Sequence, residues 1–364
     1  MRGRCGRHPV VGTVGVRTDR APESARLCPD DVANPHGDAP GVEPAAPVSP
    51  AVTVFGPDPL LNVTVERRGE SDDIHVHVAG QGVWVSRMVG EMGARPVLCC
   101  LLGGETGAML RSLLDTLPGE RRVADMAGPS GCYVVDRRVG ERRVLAAAYR
   151  PPPQRHEVDD LVAATCAAAL TSAAVVVCNP FPAADLPDDV YATVVGNARS
   201  AGVPVIVDLS SPRLDRALEG GPDLVKLNDW ELAQYVAGPV DGERALAAMR
   251  ALRRAGAGAV AVTRAEQPIL VLDADDDAYE IVPPRFTHGF REGCGDTMTG
   301  ALAAGLAQGR GLREALMLGA AAGAGNFLRH GLGTGRAQTI AELAKRVRIR
   351  PARWSPSPSP RTAA

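Results

Sequence analysis

The segment at residues 289–309, GFREGCGDTMTGALAAGLAQG, runs from a glycine-rich turn directly into a helical stretch of Ala, Leu and Met. Gly293 and Gly295 allow a tight turn whose N–H groups lie at the start of that helix, where unpaired donors and the helix dipole attract anions. Asp296 follows in the first helical turn, where a carboxylate can accept the proton of a hydroxyl that attacks a phosphoryl group. The segment therefore predicts a phosphoryl-transfer site with Asp296 as general base.

The same residues also fit a plainer interpretation, in which Asp296 caps the helix and the glycines only form a turn, because Asp is a favoured N-cap. The spacing is neither GxxxxGK[ST] nor GxGxxG, so it indicates neither a P-loop nor a dinucleotide-binding turn. The rest of the chain has to decide between the two interpretations.

The composition of the 364-residue chain is globular, with 45% hydrophobic residues and a formal net charge of -2. This balance gives no broad positive field, so we expect neither nucleic acid nor an anionic membrane surface as a partner. No apolar stretch is long enough to span a bilayer. The eight cysteines form no CxxC pair and several lie in apolar runs, which is typical of a reducing compartment and predicts a cytoplasmic protein. A small molecule is the expected partner.

Short β-branched runs alternate with longer amphipathic stretches in the central part of the chain. The runs are AVTVF at 51, PVLCCLL at 96, AVVVC at 174, PVIVDL at 204, DLVKLN at 223 and GAVAVT at 258. This alternation predicts an α/β fold, a doubly wound α/β/α sandwich around a parallel sheet. Segments near 63–78 and 122–148 alternate apolar with polar residues instead, which predicts a small antiparallel β lid over the carboxyl edge of the sheet.

The two ends of the chain lack apolar periodicity. Residues 1–50 are rich in Pro, Gly, Arg and Asp, and residues 349–364 repeat Ser-Pro. Such segments bury too little apolar surface to offset the entropy of ordering, so both are predicted to be disordered. The folded domain is therefore expected to span residues 51–348.

Two histidines occupy one face of a predicted lid strand, because His75 and His77 alternate with Ile74, Val76 and Val78. A metal-binding pair is one interpretation of this spacing. Without a third ligand at suitable spacing, a solvated strand or a strand that faces a second copy of the chain is favoured.

The segment GCGD at 293–296 resembles the GAGD segment that opens the final helical region in the PfkB or ribokinase family of sugar kinases, with Cys294 in place of the usual alanine. A second motif of that family, NxxE after a strand, is matched by Asn228 and Glu231 in VKLNDWELAQY. The amino-terminal glycine motifs are matched more loosely, by AGQG at 79–82 and GGETG at 103–107. The sequence from VTVFGPDPLLN at 52 to LPDDVY at 186 resembles the 1-phosphofructokinase branch of this family.

This resemblance implies a ribokinase-like fold, ATP as phosphoryl donor, Mg²⁺, and Asp296 as the base that activates an acceptor hydroxyl. The anion hole is implied at the backbone amides of Gly293, Cys294 and Gly295. By this resemblance, Asn228 and Glu231 would organise Mg²⁺ and the nucleotide phosphates through bridging water molecules, since Mg²⁺ keeps several waters. The nucleotide-side positions implied by the family are Asn228, Thr263, Arg264 and Asn326.

The acceptor side departs from the family pattern. Where the relatives that phosphorylate a sugar phosphate read GGKGxN, this chain places Gly80, Gln81 and Gly82, followed by Trp84. The missing lysine removes a point charge suited to phosphate. Asn62 falls where many relatives have an aspartate that hydrogen-bonds sugar hydroxyls.

A replacement cation is available near the glycine-rich turn, where relatives often have small polar residues. Arg291 is a candidate for binding an acidic acceptor or the γ-phosphate, and the alternative is a surface arginine paired with Glu292. The chain holds many arginines and only two lysines, so any single arginine is a weak signal.

The favoured activity is phosphoryl transfer from ATP to a hydroxyl of a sugar, a sugar phosphate or a sugar-like acceptor. Two alternatives remain open, a nucleoside or other small-alcohol kinase of the same fold and a non-catalytic ligand-binding protein. Members of the family often dimerise through the lid, and the apolar face of the predicted lid strand makes a homodimer a further expectation.

Overall fold

A computed structural model describes residues 49–139, 142–180 and 186–352 of the chain. Ten strands in these residues form one large sheet in the order β14-β13-β12-β11-β10-β9-β8-β1-β4-β5. The strands are β1 (Ala51–Phe55), β4 (Arg95–Leu102), β5 (Glu120–Asp125), β8 (Ala174–Cys178), β9 (Val205–Asp208), β10 (Leu224–Asn228), β11 (Ala259–Arg264), β12 (Gln267–Leu272), β13 (Ala278–Val282) and β14 (Arg348–Pro351). In this spatial order, the seven strands from β11 across to β5 pair in parallel with their neighbours. Strands β12, β13 and β14 extend the sheet beyond β11 with antiparallel pairs.

Helices cover both faces of this sheet. They are α1 (Gln81–Glu91), α2 (Gly104–Leu114), α3 (Arg155–Ala169), α4 (Asp189–Ser200), α5 (Arg213–Glu219), α6 (Asp229–Tyr235), α7 (Gly242–Arg254), α8 (Cys294–Ala307), α9 (Leu312–Phe327) and α10 (Ala337–Ala344). The cores of the two faces are separate, with α3 to α7 on one side and α1, α2, α8, α9 and α10 on the other.

The two cores follow from the strand period of two. In β1, Ala51 and Phe55 pack into the first core, whereas Val52 and Val54 pack into the second. All five residues of β1 are buried, as expected for a strand covered on both faces. The predicted doubly wound α/β/α sandwich is confirmed.

The predicted lid is a separate four-stranded sheet in the order β3-β2-β6-β7. Its strands are β2 (Leu60–Arg68), β3 (Ser71–Ala79), β6 (Cys132–Asp136) and β7 (Arg143–Ala148). The β2–β3 and β6–β7 pairs are antiparallel, and β2 pairs with β6 in parallel because the chain passes through the large sheet between them. Asp58 precedes β2 and Arg150 follows β7, so the two residues lie at the two ends of the lid along the chain. The buried Arg150 side chain donates to the Asp58 carboxylate across 3.1 Å and joins these two ends.

Two predicted boundaries are wrong. Residues 122–125, assigned from sequence to the lid, belong to β5, which pairs with β4 at the edge of the large sheet. An edge strand with one wet face alternates in the same way as a lid strand, so periodicity alone does not separate them. Residues 349–351, assigned to the disordered tail, lie in β14, which pairs with β13. The predicted disorder of residues 1–48 and 353–364 lies outside the described residues.

No helix among the described residues combines the length and the apolar character that a membrane crossing requires.

Helix α8 lies close to α1 because a glycine removes the side chain at their contact. A Cβ atom on Gly300 would lie 2.6 Å from the Val85 carbonyl oxygen and 2.8 Å from Met88 Cβ. Both neighbours belong to α1 and are fixed by its backbone. Gly300 therefore sets the distance between α1, which begins at Gln81, and α8, which begins at Cys294.

We predict that Gly300→Ala lowers the free energy of unfolding by about 1–3 kcal/mol, because the added methyl group forces the two helices apart. Thermal and urea unfolding measure this change. Gly196→Ala is the matched control, since this glycine also lies within a helix and its nearest neighbour to a new Cβ is 3.9 Å away. The control variant should be more stable by about 0.5–1 kcal/mol. A Gly300→Ala protein as stable as the control would contradict the close contact.

Candidate active site

The turn before α8 presents unpaired backbone donors, as the sequence predicts. Gly293 is the N-cap of α8 with φ 74°, a left-handed conformation that favours glycine. Within the described residues, neither Gly293 nor Gly295 donates its N–H to a backbone carbonyl. Cys294 differs, because its N–H donates to the Arg291 carbonyl across 3.3 Å. Among the described residues, the donors without a backbone acceptor at this helix start are therefore the N–H groups of Gly293, Gly295 and Asp296.

Asp296 lies in the first turn of α8, at the carboxyl edge of the sheet. Burial and the nearby Asp208 carboxylate raise the pKa of Asp296 to about 7, against the opposing effects of Lys226 and the polar Gln81 side chain. A carboxyl group with this pKa is ionised in part at neutral pH and binds a proton more tightly than an ordinary aspartate. Its position and basicity suit a general base.

A charged pair lies beneath the turn. Lys226 Nζ on β10 donates to Asp208 Oδ2 at the end of β9 across 2.9 Å, and both side chains are buried. Thr299 on α8 donates to the same oxygen across 2.7 Å. Burial alone would lower the pKa of Lys226, but the carboxylates of Asp208 and Asp296 outweigh it and raise that pKa. The ammonium group stays charged directly below the start of α8, where a Cβ on Gly295 would lie 3.0 Å from it.

The NxxE motif forms a capping box at the start of α6. Asn228 Oδ1 accepts from the Glu231 N–H, and Glu231 Oε2 accepts from the Asn228 N–H, each across 2.8 Å. Burial and the Asp208 carboxylate raise the pKa of Glu231. This cap uses one carboxylate oxygen of Glu231 and leaves the other for a further ligand. A carboxylate and an amide oxygen match the hard oxygen donors that Mg²⁺ prefers, so these residues fit a cation held through water.

Gln81, predicted to contact the acceptor, lies against the base. Its Oε1 accepts from the backbone N–H of Asn179 at the end of β8, and the side chain is close enough to Asp296 to lower the pKa of that carboxyl. Asn179 Nδ2 in turn donates to Ser210 Oγ across 3.0 Å. A chain of hydrogen bonds therefore links the start of α1 with the ends of β8 and β9.

The inner face of the lid carries the predicted Asn62. Asn62 is opposite His77 on β3 and Tyr133 on β6, and its Nδ2 lies 2.6 Å from His77 Nε2. Asn62 Nδ2 also donates to Thr64 Oγ1 across 3.2 Å, whereas its buried Oδ1 has no hydrogen-bond partner among the described residues. An unpaired buried carbonyl oxygen costs free energy and is a ready acceptor for a ligand hydroxyl.

His77 does not form the metal pair considered from sequence, since its Nε2 contacts Asn62 and His75 Nε2 lies 3.5 Å from Asp73. Burial and the positive charge of Arg87 lower the pKa of His77, with a smaller contribution from Arg137. The imidazole is therefore neutral at physiological pH. The two arginines place positive charge beside the inner face of the lid.

The other predicted residues of the amino-terminal glycine motif, Gly80 and Gly82, and the nearby Trp84 mainly pack α1 against its neighbours. Gly80 is the N-cap of α1, and a Cβ on Gly82 would lie 2.5 Å from Gly56 Cα. Trp84 packs against the buried apolar cluster at the base of the lid, which includes Leu60 and Tyr133.

Arg291 lies on the surface and pairs with Glu266, not with Glu292. Its side chain is 67% exposed. Glu292 instead pairs with the lid, because Arg137 after β6 donates to its carboxylate across 2.6 Å. The cations that pair with Glu292 therefore come from the lid, from Arg137 after β6 and from Arg142 before β7.

Two predicted nucleotide contacts are engaged elsewhere. Arg264 is buried, donates to the Pro268 carbonyl and pairs with Glu280 across 3.0 Å. Asn326 is 0% exposed, since Nδ2 donates to the Glu292 carbonyl and Oδ1 accepts from the Thr334 N–H. A nucleotide contact at either position would have to replace or share these hydrogen bonds, so both assignments stay predictions.

The third nucleotide-side prediction, Thr263, is the last residue but one of β11, lies opposite Asn228 in the strand register and is half-buried. Its hydroxyl donates to the Leu227 carbonyl across 3.4 Å. Thr263 therefore lies at the same edge of the sheet as the NxxE motif.

Sequence reasoning missed the pair Asp208 and Lys226, together with Thr299. A signal was present, because Lys226 is one of only two lysines in the chain and lies within an apolar strand, and Asp208 ends another apolar strand. A charge within a buried strand needs a partner, and the ends of adjacent parallel strands bring candidates together.

Comparison with known proteins gives two curated relatives of similar identity. The bifunctional protein HldE of Gluconacetobacter diazotrophicus is 32% identical over 267 residues, which are 72% of this chain and 54% of that protein. A 1-phosphofructokinase of Rhodobacter capsulatus is 32% identical over 178 residues, 48% of this chain and 55% of that protein. The chain spans about half the length of these curated relatives.

Solved structures share the fold. Phosphofructokinase-2 from Escherichia coli in complex with potassium superposes with a TM-score of 0.70 at 21% identity and covers 82% of this chain and 99% of its own. Ribokinase from Arabidopsis thaliana complexed with ribose and ATP gives a TM-score of 0.66 at 19% identity, with coverage of 82% and 99%. At these identities the likeness shows a ribokinase-like fold alone.

The family profile described as pfkB family carbohydrate kinase matches residues 57–339, from the loop after β1 to the last helix. The match includes the lid, the NxxE motif and the turn that carries Asp296. Because it covers well over half of the sequence, this chain belongs to the pfkB family of carbohydrate kinases.

Proposed function

We propose that this protein transfers a phosphoryl group from ATP to a hydroxyl of a sugar, a sugar phosphate or a sugar-like acceptor. The observation that carries the proposal is the Asp296 carboxyl, whose pKa is about 7, one turn from the free N–H groups of Gly293 and Gly295. A base and an anion site in this arrangement serve an in-line attack on a phosphoryl group. The membership in the pfkB family and the phosphofructokinase relatives support the same reaction.

In the proposed reaction, Asp296 accepts the proton of the acceptor hydroxyl while the hydroxyl oxygen attacks the γ-phosphorus of ATP. The bond between the γ-phosphorus and the bridging oxygen of the β-phosphate breaks, and ADP leaves. The amides of Gly293 and Gly295 and the α8 dipole stabilise the negative charge on the transferring group. The Lys226 ammonium below the turn adds positive charge to the same region. Asn228 and Glu231 are the residues that would hold Mg²⁺, which when bound offsets the charge of the nucleotide phosphates.

The inner face of the lid supplies the acceptor contacts in this proposal. Asn62 Oδ1, buried and unpaired within the described residues, accepts from an acceptor hydroxyl, and Gly80 and Gly82 shape the adjacent helix start. Arg87 and Arg137 provide the positive charge that Arg291 was expected to supply. A neutral amide next to two arginines suits a polyol that carries an anionic group. We place the reaction in the cytoplasm, where ATP and Mg²⁺ are abundant and thiols such as Cys99 and Cys178 stay free.

We predict that the protein releases ADP from Mg-ATP with at least one acceptor when sugars, sugar phosphates and nucleosides are tested one at a time. With that acceptor, Asp296→Asn should lower kcat by about 10²–10⁴. An amide keeps the shape of the carboxyl but does not accept the proton. A coupled assay for ADP measures both proteins, and the affinity for Mg-ATP should stay nearly unchanged. The acceptor that reacts separates the sugar kinase from the nucleoside kinase.

A folding control accompanies this test. Because folding raises the pKa of Asp296, ionisation of this carboxyl lowers the stability of the wild-type protein as the pH rises from about 4 to about 7. The Asp296→Asn protein lacks this loss. Its unfolding temperature should therefore exceed that of wild type by a margin that grows over this pH range and then stays constant. Turnover by the folded variant comparable to wild type would remove Asp296 from the role of base. Absence of both turnover and a thermal shift by Mg-ATP would count against the kinase, and binding without turnover would favour a ligand-binding protein.

We predict that Arg137→Ala raises the KM for the acceptor about tenfold, because it removes one of two cations beside Asn62 and His77 and the bond from the lid to Glu292. Steady-state kinetics with varied acceptor measure the effect. Arg138→Ala is the matched control, since Arg138 pairs with Asp136 and Asp72 instead. Equal KM values for the two variants would contradict a role for Arg137 at the acceptor.

We also propose that two copies pair through the outer face of the lid. Val63 lies beside Val76 on β3 and Val134 on β6 in one row across the sheet, and Ile74 on the same face is 63% exposed. Side chains on the opposite face of β3 are polar, including His75 and His77. An apolar row of this kind on a sheet surface favours burial against a partner.

We predict that Val76→Asp converts a dimer to a monomer, because the charge would be buried without a partner at the paired face. Light scattering after size-exclusion chromatography measures the mass. His75→Asp is the control, since it places the same charge on the opposite face of the same strand and should leave the mass of the dimer. A monomeric wild-type protein, or a dimeric Val76→Asp protein, would exclude this interface.

A further inference from the structure

The side chain of Asn326, near the end of α9, is buried against the turn that precedes α8. Its residue is 0% exposed, and both polar atoms of its amide have partners. Nδ2 donates to the Glu292 carbonyl across 3.0 Å and to Cys294 Sγ across 3.6 Å. Oδ1 accepts from the Thr334 N–H across 3.1 Å. The amide therefore joins the catalytic turn to the loop that follows α9.

The two backbone partners fix the orientation of this amide. A carbonyl group only accepts a hydrogen bond and a backbone N–H only donates one. The Glu292 carbonyl must therefore meet the NH₂ group, and the Thr334 N–H must meet the amide oxygen. The contact requires a side chain that offers a donor and an acceptor in two different directions, as asparagine does.

The donor end of the amide acts where α8 begins. In a longer helix, the Glu292 carbonyl would accept from the N–H of Asp296, four residues further along the chain. Here that carbonyl accepts from Asn326 instead. The Asp296 N–H donates to no backbone carbonyl among the described residues, as is also the case for Gly293 and Gly295. The asparagine therefore occupies an acceptor whose use by α8 would withdraw a donor from the anion site.

The acceptor end of the amide holds a loop against the same turn. Residues 328–335 follow α9, and the Thr334 N–H in this loop donates to Asn326. Leu332 of the loop packs on Gly293, where an added Cβ would lie 3.2 Å from the Leu332 Cα. The asparagine thus holds in place the segment that covers the left-handed N-cap of α8.

The end of α9 is a second support for the segment that leads into the turn. The Phe290 N–H donates to the Phe327 carbonyl across 2.7 Å. This bond holds the first part of the segment, whereas Asn326 holds the part next to Gly293. The direction of the free N–H groups therefore depends on the side-chain contact more than on the backbone contact.

We propose that Asn326 is a positioning residue, which fixes the backbone of the turn so that the free N–H groups at the start of α8 face the transferring phosphoryl group. The inference rests on the proposed kinase function and deepens it. In this role Asn326 touches neither the nucleotide nor the acceptor. Backbone donors stabilise developing charge best when their direction is fixed before the reaction, and a buried amide with all its partners in place provides this.

The test uses two variants that remove the amide. Asn326→Leu keeps the branched shape without hydrogen-bonding atoms, and Asn326→Ser leaves a hydroxyl too short to join both partners. Each should lower kcat about a hundredfold, because the donors to the phosphoryl group lose their alignment. The KM for Mg-ATP should change less than about threefold, since the predicted nucleotide and Mg²⁺ residues Asn228 and Glu231 lie on a different helix start. Steady-state kinetics measure both constants.

Thr165→Val is the matched control. Thr165 is also 0% exposed, and its hydroxyl donates to the Leu161 carbonyl across 2.7 Å within α3, which packs on the other face of the sheet. This variant likewise loses a buried hydrogen bond, but it should keep the wild-type kcat.

A residue that only stabilised the loop after α9 would lower the unfolding temperature and leave the kcat of the folded protein unchanged. The proposal is overturned if either variant, shown to be folded by thermal unfolding, keeps kcat within about threefold of wild type. A raised KM for Mg-ATP with unchanged kcat would also overturn it and would indicate the nucleotide contact predicted from sequence. If Asn326→Leu does not fold, Asn326→Ser decides on its own.

A readout without turnover separates this proposal from the kinase function. Hydrogen exchange of a peptide that covers residues 289–298 follows the amides of Phe290, Cys294 and Thr297, each of which donates to a backbone carbonyl. Exchange about tenfold faster in both variants, and unchanged in Thr165→Val, supports the anchoring of the turn by Asn326 even if no acceptor reacts. Exchange at the wild-type rate in the folded variants overturns the proposal even if the protein is an active kinase.

Discussion

The arrangement of the candidate site depends on one buried ion pair, between Lys226 on β10 and Asp208 on β9. Burial of two charges is costly, and removal of one partner from such a pair typically costs about 3–5 kcal/mol. Here the pair has a second use, because Thr299 joins α8 to the same carboxylate oxygen. The pair therefore fixes the ends of two strands and the start of the helix together. It also supplies the negative charge that raises the pKa of Asp296 and the positive charge that limits the rise.

The two ends of the site are built in different ways. The candidate phosphate end consists of backbone donors and charged side chains. They lie on strands of the large sheet and on α8, the helix that packs against it. The acceptor end lies on a separate small sheet, joined to the catalytic turn through Arg137 and Glu292 and to its own base through Asp58 and Arg150. In the proposed reaction, the groups that handle the phosphoryl group therefore belong to the large sheet and α8, and the proposed acceptor contacts belong to a separate sheet.

The sequence predicts much of this because local patterns determine it. The apolar strands, the turn before α8 and the alternation in β3 each depend on neighbouring residues. Residues whose partners are distant in sequence are harder to predict, and the pair Asp208 and Lys226 was missed for this reason. Asn326 and Arg264 match family positions, yet their bonds to Thr334, Glu292 and Glu280 are visible only in three dimensions. The strand Arg348–Pro351 has no apolar run of its own and exists because β13 offers an open edge.

The lid strand β3 has alternate residues with different partners, since His75 and His77 face inward and Ile74 and Val76 face outward. Substitution at one set leaves the other in place, so the proposed acceptor contacts and the proposed dimer interface can change independently of each other. An insertion or deletion in the turn at Gly69 and Glu70 has no such freedom. It would shift β3 by one residue and exchange the two faces at once. Evolution of this lid is therefore constrained to proceed by replacement of side chains at constant strand length.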